Sequence, residues 1–478
     1  MTVQLYNTLS RKIEPVPIHG DAEVGIYACG ITAYDYAHIG NLRRYVMDDI
    51  LVRVLRYDGY KVKLVQNVTD VGHLTSDGDE GEDKLEKGAR ALGESVFTTA
   101  RKFEDYFYQA NEKMGNLRPD VVVRASDCIE QQLAIAIDLE KKGFAYLIPG
   151  EGLYFDTSKS PDYGELAGLQ VDKLKEGARI DKIAGKRNPT DFAVWKLEKP
   201  GENRQMVWPS PWGERSFPGW HLECVAIAIN NLGEQFEIHT GGIDHIPVHH
   251  TNEIAQAQAH TGKKPFVQTW VHHNFMLVDG QKMSKSLGNI YRLEDIEAKG
   301  FSPMALRYLF LTTHYQSEMN FTWDALAAAQ KAYRHLIMDL ARLSQEKPAS
   351  MAEEEKINRS EKLREQFLAA ANNNLNMPQA LAILNEIRKA TLEDSERYDL
   401  ILELDNVLGL QLRQNVAKFL QTEIYEEITD PAAEKLLQER ETARAQKDFA
   451  RADQLRLQLA ELGYQIQDTA IGVKLVRK

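Results

Sequence analysis

The sequence has 478 residues, 43% of them hydrophobic and 27% charged, and carries 70 Asp and Glu against 58 Lys and Arg for a formal net charge of −12. That length predicts about three or four modules rather than one core, and the charge excludes a protein that coats nucleic acid indiscriminately while leaving room for a local basic face. No apolar run of about 18 residues offers a membrane span.

Met1 to Lys12 lacks a basic stretch leading into an apolar one, so no secretory signal is expected. Cys29, Cys128 and Cys224 are too few for a disulfide framework, which fits a reducing cytoplasm and leaves them available to a metal. Gly25 to Cys29 reads as a short buried strand. From His38 onward, Val46, Ile50, Leu51, Val54 and Leu55 recur at helical spacing until Gly59, which predicts a helix beginning at or near His38. A second strand over Lys61 to Asn67 completes a strand-helix-strand unit with parallel strands and a right-handed crossover. Its strand-to-helix turn offers backbone N–H groups and the positive end of the helix dipole to an anion, often a nucleotide phosphate. His38 and Asn41 stand at that turn.

The acidic stretch from Thr75 to Ala89 lacks the Gly and Glu that a calcium loop needs and reads as solvated. Residues 121–205 mix strand-like pieces with turns and suggest a connective insertion. Strand patterning resumes at Phe236 to His245, followed by a helix from His249 that stops at Gly262 and a strand over Phe266 to Val278. This pattern suits the second half of a split nucleotide-binding domain. From Pro303 onward, amphipathic helices without a strand signal predict a bundle, and no repeat or low-complexity linker interrupts them. The expected fold is α/β: a split Rossmann-like parallel sheet with a small insertion, then an α-helical bundle and a small C-terminal α/β domain. The boundaries are 1–120 and 206–265 for the two halves, 121–205 for the insertion, 266–325 for a connecting region, 326–425 for the bundle and 426–478 for the last domain.

The connecting region holds a second signature, "DGQKMSKSLGN" at 279–289, which sets Lys282 and Lys285 with Ser284 and Ser286 on a Gly-bounded loop. Two such lysines suit phosphate oxygens whose charge grows during phosphoryl or adenylyl transfer. "HIGN" at 38–41 and "KMSKS" at 282–286 together resemble the paired HIGH and KMSKS signatures of class I aminoacyl-tRNA synthetases. The departure is Asn41 in place of the final His, a shorter neutral N–H donor. The surrounding text, "YACGITAYDYAHIG", "VQNVTD", "RNPTDFAVWK", "PGWHLEC" and "HTGGIDHIPVHHTNEIAQ", resembles the cysteinyl-tRNA synthetase family, and the resemblance runs from the first residues to the last.

That resemblance implies ATP-dependent joining of L-cysteine to tRNA(Cys) through cysteinyl-adenylate, in a cytoplasmic enzyme without membrane attachment. It assigns His38, Asn41, Lys282 and Lys285 to catalysis, with Mg2+ accompanying ATP. Gly40, Gly241, Gly242, Asp244 and Lys285 would contact ATP; whether Asp244 meets a ribose hydroxyl or the substrate ammonium stays open. Cys29, Thr69, Trp220 and His239 would line the cysteine pocket. One Zn2+ per chain would be held by Cys29, Cys224, His249 and Glu253, a chemically sensible tetrahedral set with the last two at i and i+4 on one helix face. His250 is the rival ligand, turned about 100 degrees from its neighbour on an α-helix. Zinc accepts a thiolate far better than a hydroxyl, so cysteine could be told from serine in one step. The insertion is correspondingly short for an editing domain.

The resemblance also makes 266–325 a stem-contact region, 326–425 an anticodon-binding bundle and 426–478 a tRNA-contacting domain. Residues 431–478 hold nine Lys and Arg against seven Asp and Glu. Arg440, Arg444, Lys447 and Arg451 fall at helical spacing, as one stripe on one helix that would meet tRNA. The alternative reading, a cysteine ligase acting on a small amino-sugar acceptor, would lack so long a C-terminus.

Overall fold

Val24–Thr32 (β1) is buried at every position except Gly30 and Thr32, the mark of a central strand in a parallel sheet covered on both faces. The computed structural model describes residues 2–18, 20, 22–71, 84–168, 183–344, 353–422, 431–446, 448–469 and 472–477. After β1 come helix α1 (Ile39–Tyr57), β2 (Val62–Thr69) and β3 (Val121–Arg124), then helix α2 (Leu222–Leu232), β4 (Phe236–Gly242), helix α3 (Thr251–Thr261) and β5 (Val267–His273). The five strands form one sheet in the order β5-β4-β1-β2-β3, with every pair parallel. The chain adds β2 and β3 on one side of β1, then returns to add β4 and β5 on the other. Strand order therefore reverses between β1 and β4, which opens a crevice at their carboxyl ends.

The bulge in β1 aims the site. Pairing with β2 shifts register between Ala28 and Ile31, across Cys29 and Gly30. The Gly30 amide donates to Asn67 Oδ1 at 2.6 Å, and a Cβ on Gly30 would stand 1.5 Å from the Asn67 carbonyl oxygen. Only glycine fits there.

The insertion is an antiparallel sheet of Ala145–Ile148, Gly152–Phe155, Phe192–Leu197, Gly213–Pro218 and Trp208–Ser210, in that spatial order. Its limits differ from the expected 121–205: β3 belongs to the parallel sheet, and the insertion's own strands continue to Pro218. Likewise β5 belongs to the parallel sheet, beyond the expected end of the second half at 265. The strand read over Phe266 to Val278 is two strands in two sheets, because the chain turns at Asn274 and Phe275. The second piece, β6 (Met276–Val278), pairs with β7 (Gln281–Lys282) and with β8 (Met319–Phe321) in a small sheet. β8 also interrupts the helical run expected from Pro303.

A buried ionic knot ties α1 to helix Pro303–Leu311. Arg307, fully buried on that helix, donates to Asp49 Oδ2 at 2.5 Å and to the Leu408 carbonyl at 2.8 Å. Arg53 donates to the same Asp49 oxygen at 2.7 Å. These residues belong to a compact unit of 1–330, 365–383 and 406–410.

A second unit comprises 331–364, 384–405 and 411–478, so the bundle expected over 326–425 is shared between the two units. The helices are as expected: Trp323–Leu343, Glu353–Asn372, Met377–Lys389, Asp394–Leu408 and Leu412–Thr422. Within the second unit lie α4 (Pro431–Ala445), α5 (Phe449–Glu461) and an antiparallel hairpin of Tyr464–Thr469 with Gly472–Arg477. The single basic stripe is not formed. Asp448 caps α5 by accepting from the Arg451 amide at 3.0 Å, and an Asp cap ends one helix and starts another more readily than it sits inside one. Arg440 and Arg444 therefore lie on α4 and Arg451 on α5; Arg440 is buried and bonded to Glu441. Lys447 lies outside the described residues.

Asp49→Ala leaves the Arg307 charge buried without its carboxylate, so the unit that contains it should lose about 3–5 kcal/mol of stability in urea denaturation. A loss below about 1 kcal/mol would contradict the assigned role of this pair.

Candidate active site

Cys29 from the β1 bulge, Cys224 from α2, His249 from the turn before α3 and Glu253 from the first turn of α3 meet at the crevice. Their ligand atoms lie within 4.8 Å of one another, and all four residues are buried. Cys224 Sγ is 3.4 Å from His249 Nε2. Two ligands of one tetrahedral zinc stand roughly 3.3–3.8 Å apart, so this spacing suits a shared ion. Glu253 Oε1 lies 2.9 Å from His249 Nε2 yet makes no well-directed hydrogen bond. Such an orphaned buried oxygen fits a ligand facing a common point with its neighbour.

Surrounding histidines turn these atoms inward. His221 Nδ1 is 2.9 Å from His249 Nδ1, which leaves Nε2 to the centre. His239 Nε2 is 2.9 Å from Glu253 Oε2, which leaves Oε1. Burial pushes the Glu253 carboxyl up, but the imidazoles of His239 and His249 more than reverse this and hold it below its usual value. Burial likewise lowers His249, while the Glu253 carboxylate, helped by Cys29, lifts it to about 10. Burial raises both thiols; the Cys224 thiol and the His250 imidazole turn Cys29 well below its usual value, whereas Cys224 is pushed well above it.

His250 does not turn away as an ideal α-helix would require. Ile246–His250 is a π-helical turn, wider than an α turn, and His250 Nε2 lies 3.2 Å from Cys29 Sγ. Cys29, His239, His250 and Glu253 form a second, overlapping cluster of possible ligands. His250 Nδ1 is 2.8 Å from His272 Nε2, whose other nitrogen is 2.7 Å from Thr8 Oγ1. The pair Gly241 and Gly242 makes room for this crowd: a Cβ on Gly241 would come within 2.4 Å of the His250 ring, and one on Gly242 within 2.1 Å of Asp244 Oδ1. Asp244 is exposed. Trp220 packs on His249 with ring centroids 4.7 Å apart. Thr69 is buried, hydrogen-bonded to Glu223 and to Asn67.

On the other side of the crevice the two loop signatures meet. His38 caps α1: its Nδ1 accepts from the Asn41 amide at 3.3 Å, and Asn41 Oδ1 accepts from the His38 amide at 3.0 Å. Burial lowers the imidazole below its usual value, with Asp35 opposing weakly, so the ring is neutral at pH 7. Because Nδ1 accepts, the proton sits on Nε2, and Asn41 keeps its Nδ2 as a donor. The helix end is less open than expected, since the Ile39 amide already donates to the Tyr291 carbonyl at 2.9 Å. Met283 of the lysine loop lies over Gly40, where a Cβ would be 2.3 Å from the methionine methyl. Lys285 Nζ sits 2.5 Å from Asp35 Oδ2. Asn289 ties the loop by accepting from the Ser284 amide at 2.8 Å and donating to the Lys282 carbonyl at 3.1 Å. Lys282 is exposed at its edge.

Sequence reasoning did not single out Asp35, His221, Glu223 or His272. The stretches around the signatures contain the first three, but their pairing depends on contacts far apart in the chain. Cys128 is buried away from the cluster, and burial pushes its thiol up to about 12, a packing role.

The family model described as "tRNA synthetases class I (C) catalytic domain" matches residues 15–331, and "Cysteinyl-tRNA ligase anticodon binding domain" matches residues 429–472. The chain is 43% identical to cysteine–tRNA ligase 1 of Burkholderia lata, over 99% of this chain and 97% of that protein. It is 40% identical to cysteine–tRNA ligase of Treponema denticola, over 98% of each. Among solved structures, methionyl-tRNA synthetase of Mycobacterium tuberculosis in complex with methionyl-adenylate superposes with a TM-score of 0.58 at 16% identity, covering 83% of this chain and 93% of that one. That last likeness is one of fold.

Gly40→Ala should push Met283 off α1 and loosen its loop, so that trypsin cuts after Lys282 or Lys285 several-fold faster than in the unaltered protein. Equal cutting rates would mean that the contact does not hold the loop.

Proposed function

The chain belongs to the cysteinyl-tRNA synthetase family of class I aminoacyl-tRNA synthetases, and on that premise we propose that it joins L-cysteine to tRNA(Cys) with ATP. The observation that carries this reading is the convergence, at one switch point, of a buried Cys/Cys/His/Glu cluster with the "HIGN" and "KMSKS" loops. In this proposal the cysteine carboxylate attacks the α-phosphorus of ATP in line, and the bond to pyrophosphate breaks as the acyl-phosphate bond forms. The terminal ribose hydroxyl of the tRNA then attacks the acyl carbon and releases AMP. Neither step uses a protein nucleophile, so rate must come from positioning and charge stabilisation.

His38 offers Nε2–H, and Asn41 its Nδ2–H, to the phosphates. Gly40, Gly241, Gly242 and Asp244 border the nucleotide, which arrives with Mg2+. Lys285, whose ammonium Asp35 raises above its usual value, leaves Asp35 for the phosphates, and Lys282 joins it. The exposed Lys285–Asp35 pair is weak enough to exchange. Thr69, Trp220 and His239 surround the amino acid, with Thr69 oriented by Glu223.

Cys29, Cys224, His249 and Glu253 would hold one Zn2+, which when bound supplies a soft Lewis acid for the substrate sulfur. Three free, buried thiols favour a reducing cytoplasm, and among the described residues no helix is long and apolar enough to cross a membrane. The match to an anticodon-binding domain favours tRNA over a small amino-sugar acceptor. Exposed Arg444 and Arg451 are the proposed RNA contacts of α4 and α5; Arg440, being buried, serves packing.

ATP–pyrophosphate exchange should respond to cysteine and not to serine, in protein holding about one zinc per chain. Cys224→Ser should lose zinc and exchange together. Exchange that prefers another amino acid would overturn the reading, and metal-free protein with full activity would overturn the zinc assignment. Replacing Arg444 and Arg451 by Glu should weaken tRNA binding most at low salt and flatten the slope of log K against log salt by about 2, while exchange without tRNA stays unchanged. An unaltered slope would remove these residues from the RNA surface.

A further inference from the structure

We propose that Arg43 is a positioning residue for adenylate formation: from α1 it grips the roots of the sheet that carries the "KMSKS" lysines and fixes them against His38. Arg43 lies five residues beyond His38 and is 3% exposed. Its Nη1 donates to the carbonyls of Asn274 and Phe275, both at 3.0 Å. Its Nη2 donates to the carbonyls of His314 at 3.1 Å and Ser317 at 2.9 Å. Among the described residues it has no carboxylate partner, and burial pushes the guanidinium down to about 10. A buried cation held by four neutral carbonyls is an expensive way to obtain stability alone.

The carbonyls it selects have a common feature. Asn274 and Phe275 immediately precede β6, and His314 and Ser317 precede β8. The two strands start side by side, Met276 opposite Met319. The same junction is stitched by the Asn274 amide to the Tyr315 carbonyl at 2.9 Å, the Met319 amide to the Phe275 carbonyl at 3.1 Å, and Asn274 Nδ2 to the Gln316 carbonyl at 2.8 Å. One residue into β6, Leu277 pairs with Lys282 of β7. A short, hydrogen-bonded route therefore runs from the guanidinium to the first signature lysine. Beyond it, Met283 returns to Gly40 on α1.

Besides the Ile39–Tyr291 hydrogen bond and the Lys285–Asp35 pair, the two signatures are thus joined by a buried polar clamp at the root and by an apolar contact at the tip. Lys at position 43 would keep the charge but present three donors from one point, which cannot serve carbonyls on two segments as a planar fork does. A displacement of about 1 Å in groups that stabilise charge can cost about 100-fold in rate.

The inference rests on the proposed adenylation reaction, and its test separates the two. Single-turnover formation of cysteinyl-adenylate is measured in the full-length protein, Arg43→Lys, Lys282→Ala and the double variant, together with the KM for cysteine. Arg43→Lys should lower the bound-state rate about 10- to 100-fold while the cysteine KM moves less than about twofold. In the Lys282→Ala background the same substitution should cost less than about threefold, because the lysine that its hydrogen-bonded route reaches is gone. Asn274→Ala, which removes one stitch of the junction and spares the buried cation, should show the same pattern at smaller size and decides the matter if Arg43→Lys does not fold. Losses that multiply independently of Lys282, or a cysteine KM that rises in step, would overturn the clamp and leave the adenylation reading intact. An unaltered protein that forms no cysteinyl-adenylate would overturn both.

Discussion

Glu253 has no exposed surface, and it shares its two clusters of possible ligands with two cysteines and three histidines. An ionised carboxylate in such a place is tolerable only if it is paired, because removing a charge from water costs several kcal/mol even after relaxation. His239 and His249 supply part of that pairing, and a metal ion would supply the rest. Much of the central fold answers to this one requirement. The bulge at Cys29 and Gly30 delivers a sulfur to the cluster, the π turn at 246–250 delivers two adjacent imidazoles, and the glycine at 241 leaves space for the rings.

The opposite wall of the crevice is built on other principles. It presents solvent-facing lysines and a capped helix end, and the pair of Lys285 with Asp35 there is open enough to solvent to be easily replaced. A site that sorts amino acids gains from rigid, dry ligands. A site that follows charge from substrate to pyrophosphate needs groups that can change partner. Helix α1 makes two attachments: its N-terminus meets the "KMSKS" loop, and its flank carries Asp49 into the buried knot with Arg307.

Those features were legible in the sequence to different degrees. The helix starting at His38, the strand before it and the stop at Gly262 could be read because local pattern, caps and glycine act over a few residues. The metal quartet followed from family resemblance; nothing in the spacing of Cys29 and Cys224 would have joined them. An α-helical wheel misplaces His250, because the turn that carries it is π-helical. The basic stripe failed at Asp448, where capping outweighs helix continuation. The insertion limits moved because short strands such as Val121–Arg124 and Gly213–Pro218 declare their sheet only by pairing. Arg43 and Asp35 look like ordinary surface charges in sequence, and only the return of distant segments reveals what they hold.

The central claim is that the buried quartet selects cysteine by presenting a metal to its sulfur. X-ray absorption at the zinc edge tests it most directly. The resting protein should show two sulfur and two lighter ligands, and saturating cysteine should add a further sulfur where serine adds none. A sulfur count unchanged by cysteine, or a zinc site without protein sulfur, would contradict the claim.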